Sequence, residues 1–136
     1  MPKTLKGQID LLVAGQRAEN GVDGFSEKRL AKSLGLTQFG VNIVTLEPGA
    51  QTALRHWHEK EDEFVLVLAG TVALRDENGE HPLLPGGFVG FQAGVENGRH
   101  LMNRSMAPAR LLVVGSRRPG DETIHYPDDP IGPIHK

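Results

Sequence analysis

The sequence predicts an all-β protein, either a barrel or a sandwich, from three observations. Short runs of β-branched and apolar residues recur along the chain, with turn residues about every 8 to 12 positions. The 17 glycines and 9 prolines are scattered between these runs and form no low-complexity tract. No amphipathic helix of normal length can be recognised. A chain of 136 residues is expected to form one domain with a substantial core.

The beginning of the chain is weakly patterned. An apolar cluster at residues 9–13 fits a short helix or an edge strand, and the sequence does not decide between them. Asn20-Gly21 is a predicted turn, and residues 25–34 mix apolar and basic side chains before Gly35 ends the segment. We assign residues 1–38 to an N-terminal arm and edge strand.

The middle of the chain, residues 39–115, is predicted to form a barrel. High β-branched content predicts a first strand at 39–46, and Pro48-Gly49 supplies the following turn. Asn78-Gly79 is the strongest hairpin signal. Further strands are predicted at 56–68, 71–75, 81–84, 88–91, 100–103 and 111–114.

The end of the chain, residues 116–136, holds four prolines and is predicted to be an irregular tail that packs on the barrel.

Charge and composition exclude several classes of function. The net charge of -2 gives no field that would attract nucleic acid or an anionic membrane. Cysteine is absent, which excludes disulfides and thiolate chemistry. No run of 18 apolar residues and no signal sequence is present. We therefore expect a cytoplasmic protein that binds a small molecule.

The candidate site begins at His56-Trp57-His58. On a strand, the two imidazoles share one face because side chains alternate with a period of two residues, whereas on a helix they would diverge. Imidazole nitrogens and a nearby carboxylate can hold a divalent metal ion. The acidic run at 59–63 supplies such carboxylates. Trp57 alternates away from the histidines and is expected to pack outward.

These residues resemble the first motif of the cupin superfamily, with Gly49, His56, His58, Glu63 and Gly70 in the order and approximate spacing of that motif. The spacer from Gly49 to His56 is one residue longer than usual.

A second motif is represented by Gly86, Gly94 and Asn103, with Gln92 where proline is usual. The chain is similar to a bacterial single-domain group with an Arg-His-Trp-His stretch and a Tyr-Pro-Asp tail, here Tyr126-Pro127-Asp128. Some members of that group are proposed sugar-phosphate isomerases.

The resemblance implies a double-stranded β-helix, or jelly-roll barrel, that forms a homodimer, often through exchanged terminal strands. It also implies one divalent metal ion, whether Zn, Fe, Mn or Ni, with His56, His58, Glu63 and His100 as candidate ligands. Glu61 or Asp62 could replace Glu63 or serve as a general base.

The second motif departs from the family at the position of its histidine, which is Arg99 here. Strand alternation puts Arg99, Leu101 and Asn103 on one face and His100 on the other. A guanidinium about 5 Å from a metal ion repels it by several kcal/mol at an effective dielectric constant of about 20. An inward Arg99 therefore indicates either a site without a metal ion or an anionic group between Arg99 and the metal.

Two functions follow from these residues. The first is a metal-dependent enzyme on a small, anionic, sugar-like substrate, with the metal as Lewis acid. The resemblance implies isomerase, dioxygenase or decarboxylase chemistry, and Arg99 is the candidate for binding the substrate. The second is a non-catalytic binding or sensor protein with a degenerate metal site. Metal analysis would separate the two.

Overall fold

The computed structural model describes residues 2–17, 23–130 and 132–136, and short antiparallel strands dominate these ranges. The predicted turn at Asn20-Gly21 lies outside them. A single 3₁₀ turn, Ile9–Leu11, and one short helix, α1 (Leu30–Ser33), complete the described structure. The strands are β1 (Gly15–Arg17), β2 (Phe25–Arg29), β3 (Phe39–Leu46), β4 (Trp57–His58), β5 (Glu63–Ala69), β6 (Val72–Asp76), β7 (Gly79–Leu83), β8 (Phe88–Phe91), β9 (His100–Met102), β10 (Ala109–Ser116), β11 (Thr123–His125) and β12 (Ile134–His135).

Three sheets organise these strands. The largest has the order β1-β2-β3-β10-β5-β8, and the two smaller sheets have the orders β12-β11-β4 and β7-β6-β9. All strand pairings within these sheets are antiparallel. The all-β prediction is therefore confirmed, and the predicted hairpin at Asn78-Gly79 joins β6 to β7.

Strand alternation builds the core. In β5, Val65 and Val67 are buried, whereas Phe64 before them and Leu68 after them are exposed. The inward side chains of β3 and β10 meet them, and Leu46 and Leu111 are completely buried. Burial of each such aliphatic side chain stabilises the fold by about 1.5–3 kcal/mol.

The predicted strand at 56–68 is divided between two sheets. Its first part, β4, pairs with β11, and its second part, β5, pairs with β10 and β8. The acidic residues between them leave the ladder and accept hydrogen bonds from loop backbone: Glu61 from Arg118 N (2.9 Å) and Asp62 from Ala93 N (2.7 Å). A run of carboxylates satisfies amides in this way more readily than it pairs as a strand.

The end of the chain is more ordered than the sequence indicates, and the expectation of an irregular tail is wrong for β11 and β12. Ile124 aligns with His58 across the β11–β4 pair and is 5% exposed. The tail therefore adds two strands to the sheet that carries the histidine motif.

Within the described residues, no helix is long and apolar enough to cross a membrane.

Candidate metal and ligand site

The two histidines of the motif line one open cavity of about 660 Å³. Their ring centroids are 5.0 Å apart, and the rings are almost perpendicular. His58 belongs to β4, and His56 forms a bridge with Arg99 through backbone hydrogen bonds of 3.2 and 2.9 Å. Trp57 alternates away from both and stacks on His125, at 4.1 Å between centroids.

His56 has one nitrogen available for chemistry. Its Nδ1 lies 2.7 Å from the carbonyl oxygen of Leu54, so Nδ1 carries the proton and donates it. Burial lowers the pKa of His56, and the positive charge of Arg99 lowers it further. The ring is therefore neutral near pH 7, with a free lone pair on Nε2.

His58 faces two carboxylates. Its Nδ1 is 3.6 Å from Glu122 Oε1 and 3.9 Å from Glu61 Oε1. One potential metal-ligand atom from each of these three residues lies within 4.8 Å of the other two. Among the described residues this nitrogen is buried and has no hydrogen-bond partner. Burial, followed by the nearby His56, lowers the pKa of His58 to about 3, so the ring is neutral near pH 7. In the tautomer with the proton on Nε2, its Nδ1 can act as an electron-pair donor.

Both carboxylates are oriented by backbone amides. Lys60 N donates to Glu122 at 3.1 Å, and Arg118 N donates to Glu61 at 2.9 Å. The Glu122 side chain is 1% exposed. Such contacts fix the direction of a ligand oxygen before any ion binds.

The three side chains fit a divalent metal ion. A hydrogen bond would need about 2.7–3.2 Å, and the observed separations from His58 are longer. Ligands that share an ion at bond lengths of about 2.0–2.1 Å lie about 3.3 Å apart in a tetrahedral site. The separations from His58 are a few tenths of an ångström longer than this, and the two carboxylate oxygens lie within 4.8 Å of each other. A contraction of the group would let it bind a metal ion through one nitrogen and two oxygens.

Glu63 and Arg99 form a separate ion pair beside this group. Arg99 is 3% exposed, and its Nη2 donates to Glu63 Oε1 at 3.2 Å. The guanidinium also lies over the Phe91 ring, 4.4 Å from its centroid, and donates to the carbonyl of His56 at 3.3 Å. Arg99 thus faces the protein interior, as strand alternation allows, and Glu63 is its counter-ion. The roles of Glu63 as metal ligand and of Arg99 as anion-binding residue remain predictions.

His100 lies on the other face of its strand from Arg99 and Leu101, which are both buried. Its Nδ1 contacts the carbonyl oxygen of Ala53 at 2.8 Å, and His100 is not among the described residues that line the cavity. The structure thus places His56, His58 and Glu63 in the cavity lining and His100 outside it. The role of His100 as a ligand remains a prediction.

Two residues of this region escaped the sequence interpretation. Glu122 lies in the segment expected to be irregular, and only its strand pairing brings it to His58. Arg55 binds Asp128 with two hydrogen bonds of 2.6 and 2.8 Å, Glu77 at 2.6 Å and the carbonyl of Gly98 at 3.0 Å. The sequence did offer a clue to the contact between Arg55 and Asp128, because Arg55 belongs to the Arg-His-Trp-His stretch and Asp128 to the Tyr-Pro-Asp segment.

The strand order and the histidine-lined cavity define a jelly-roll barrel of the kind that binds a ligand in its interior. A family model described as a cupin domain matches residues 42–115, and the chain belongs to the cupin superfamily.

Solved structures give closer comparisons. The chain is similar to a cupin-superfamily sugar phosphate isomerase from Silicibacter pomeroyi DSS-3, with 42% identity over 96% of this chain and 91% of that chain, and a TM-score of 0.85. A proposed sugar phosphate isomerase from Acidithiobacillus ferrooxidans is 32% identical over 76% of this chain and 65% of that chain, with a TM-score of 0.73.

The polyketide cyclase RemF from Streptomyces resistomycificus is a more distant relative, with 22% identity over 88% of this chain and 82% of that chain and a TM-score of 0.73. This similarity concerns the fold alone. A comparison with proteins of curated function finds no match.

Proposed function

We propose that this protein is a metal-dependent isomerase that acts on a small, anionic, sugar-like substrate. The observation that carries this proposal is the group of His58, Glu61 and Glu122 beside the cavity, in which a buried imidazole nitrogen without a hydrogen-bond partner faces two carboxylates. The similarity to a sugar phosphate isomerase at 42% identity supports the choice of reaction class.

In this proposal, His58 Nδ1, Glu61 and Glu122 hold one divalent ion. When bound, such an ion supplies Lewis acidity toward a carbonyl or hydroxyl oxygen of the substrate. Isomerisation of a hydroxycarbonyl compound moves a proton between adjacent carbons and needs no oxidant or second substrate.

His56 is the proposed proton carrier. Its Nδ1 is committed to the Leu54 carbonyl, so it takes and returns the proton at Nε2. Tyr126 lines the same cavity, and its ring centroid lies 5.9 Å from that of His56.

The experiment measures metal content and proton exchange in the same preparation. Protein purified without chelator should contain close to one divalent ion per chain, and His58→Ala and Glu122→Gln should lower that content at least about tenfold because each removes a ligand. In D₂O, the wild type should incorporate solvent deuterium into an aldose phosphate beside its carbonyl group, as followed by NMR.

The matched control is His81→Ala, which removes an imidazole that is 46% exposed and lies away from the cavity. Its metal content should equal that of the wild type. A wild type that neither carries nor takes up a divalent ion would overturn the metal site, and equal metal content in His58→Ala would do the same.

One observation favours a second function, a non-catalytic sugar-phosphate binder. Arg99 stands at the position of the second-motif histidine, and its ion pair with Glu63 engages a carboxylate that the family motif offers to the metal. Binding of the aldose phosphate without any deuterium incorporation, in metal-loaded protein, would favour this alternative.

A further inference from the structure

Cationic side chains line one part of the cavity. Lys32, Arg117 and Lys136 belong to its lining, and none of the three has a carboxylate partner among the residues that the structure describes. Arg29, another lining residue, is already paired with Glu27 at 2.9 Å. Arg118 also lines the cavity, and no carboxylate partner of its side chain is found in the described part of the chain. Four such positive charges around one cavity attract an anionic ligand and raise its local concentration.

Arg117 occupies a seat that two glycines create. Gly40 of β3 and Gly115 of β10 are register partners, so they lie directly opposite each other in the sheet. A Cβ atom added at Gly40 would lie 2.3 Å from Arg117 Nη2 and 2.7 Å from its Cζ, and one added at Gly115 would lie 3.1 Å from Nη1. The guanidinium therefore rests on backbone that no other residue type would leave uncovered.

This packing holds the guanidinium against the sheet at the edge of the cavity, where Arg117 remains an exposed residue. The protein contacts recorded for its guanidinium are this packing and a 3.4 Å hydrogen bond to the carbonyl of Ser116. Lys32, Arg117 and Lys136 line the same cavity as His58 and Glu61. The cationic residues and the His58 group thus lie within electrostatic reach of each other.

We propose that Arg117, seated on Gly40 and Gly115 and assisted by Lys32 and Lys136, is the binding site for the phosphate group of the substrate. This inference rests on the proposed function, since it names the group of the substrate that these cationic side chains would hold. A planar guanidinium offers two parallel N–H donors to a phosphate, and the two ammonium groups add charge without a fixed geometry. The uncharged part of the substrate would then extend toward His56 and His58.

The test compares ribose 5-phosphate, ribose and inorganic phosphate as ligands in calorimetric titrations of the full chain. We expect ribose 5-phosphate to bind, inorganic phosphate to bind more weakly, and ribose to bind at least about tenfold more weakly than ribose 5-phosphate, since a charge-assisted contact contributes about that factor. Arg117→Gln should weaken ribose 5-phosphate binding at least about tenfold and leave ribose binding unchanged.

Gly40→Ala provides a sharper variant because it keeps every charge. The new methyl group takes the place of the guanidinium, which is the end of a flexible side chain and can move away without disturbing the fold. The affinity for ribose 5-phosphate should fall as it does in Arg117→Gln. The matched controls are Gly90→Ala, where the nearest atom to an added Cβ is 4.0 Å away, and Arg110→Gln, an exposed arginine outside the cavity lining.

Unchanged ribose 5-phosphate affinity in both Arg117→Gln and Gly40→Ala would overturn the phosphate site, as would equal losses in the two controls. The metal content of these variants separates this inference from the proposed function. Wild-type metal content with no phosphate preference would refute the cationic subsite alone, whereas phosphate preference in a protein that takes up no metal would refute the metal site alone.

Discussion

Arg99 and Glu63 illustrate how one substitution in a motif rearranges its neighbours. A guanidinium that is 3% exposed needs a counter-ion, and Glu63 is the carboxylate within reach. Strand alternation was sufficient to predict that Arg99 and Asn103 share one face, and the structure shows that this face is the buried one. The pairing of Arg99 with Glu63 could not be predicted from the sequence. Glu63 begins β5, which pairs with β10 and β8, whereas Arg99 bridges His56, so their distance depends on the tertiary fold.

The two halves of this ion pair should contribute unequally to stability. Glu63→Gln leaves a buried guanidinium without its counter-ion and should lower the free energy of unfolding by about 3–5 kcal/mol. Arg99→Met keeps the volume over Phe91, and the released Glu63, whose side chain is 25% exposed, can turn toward solvent. Its cost should be about 1–2 kcal/mol.

Urea unfolding followed by circular dichroism measures both values. A larger loss for Arg99→Met than for Glu63→Gln would contradict the assignment of Arg99 as the more strongly buried partner.

Replacement of His56 and replacement of His58 should have different effects on metal content and on deuterium incorporation. His56→Gln should lower the rate of deuterium incorporation by about 10²–10⁴-fold while metal content stays near that of the wild type, because in the proposal His56 handles the proton and does not hold the ion. Metal analysis and NMR on the same sample provide both readouts. If His56→Gln loses its metal as completely as His58→Ala, the ligand set predicted from the sequence, with His56 included, is the better description.

Among the elements, the long strands were predictable and the short ones were not. Runs such as 39–46 have enough β-branched residues to indicate a strand, and β3 has the predicted bounds. Strands β11 and β12 have only three and two residues and lie in a segment with four prolines, so their pairing depends on Ile124 reaching the core. The position of Glu122 beside His58 depends on the same pairing, which is why that ligand was missed.

The ion pair between Asp128 in the C-terminal tail and Arg55 beside the histidine motif should weaken in acid. The hydrogen bonds from Arg55 hold the pKa of Asp128 below its usual value. A carboxyl group with a lowered pKa in the folded state adds stability above its unfolded pKa of about 3.9, and this contribution is lost as the pH falls through the folded value. Thermal unfolding should therefore show Asp128→Asn less stable than the wild type at pH 6, with the difference disappearing well below pH 4. A difference that persists at pH 2.5 would rule out this ion pair as its cause.

The turn between β5 and β6 tolerates only glycine at position 70. Gly70 has φ of 77°, and a Cβ there would lie 2.8 Å from both Ala109 Cα and the Pro108 carbonyl oxygen. Gly70→Ala should lower the free energy of unfolding by about 2–4 kcal/mol, because it combines backbone strain with a clash against another strand.

Gly79→Ala is the matched control, since Gly79 also has a positive φ but nothing lies within 4 Å of an added Cβ. It should lose only about 1 kcal/mol in the same urea titration. Equal losses in the two variants would show that backbone strain alone accounts for the effect.

At the scale of the whole molecule, the strand rhythm predicted a barrel or a sandwich, and the resemblance to the cupin superfamily implied the jelly-roll barrel. The arrangement of the cavity was not predicted, because its cationic residues come from α1, the segment after β10 and the last residue of the given sequence, which are distant in sequence. The cytoplasmic location and the homodimer expected from the sequence stay predictions.

The homodimer can be tested directly. The chain should elute with the mass of two copies in light scattering at micromolar concentration. Phe64 and Phe88, whose rings lie 5.9 Å apart on the outer face and are both exposed, are the residues to replace. Phe88→Ser should shift the protein toward the monomer, since it removes apolar surface that a second copy would cover. A wild type with the mass of one copy would contradict the expectation.

The stacking of Trp57 on His125 gives the protein an intrinsic optical probe. The chain contains one tryptophan, so its emission spectrum has a single origin, between the two histidines of the motif and in contact with the tail. Movement of the His125 ring, or entry of an ion or sugar beside His58, changes the surroundings of that indole. Ligand titrations and rapid-mixing kinetics can thus be recorded from native fluorescence, without an attached dye.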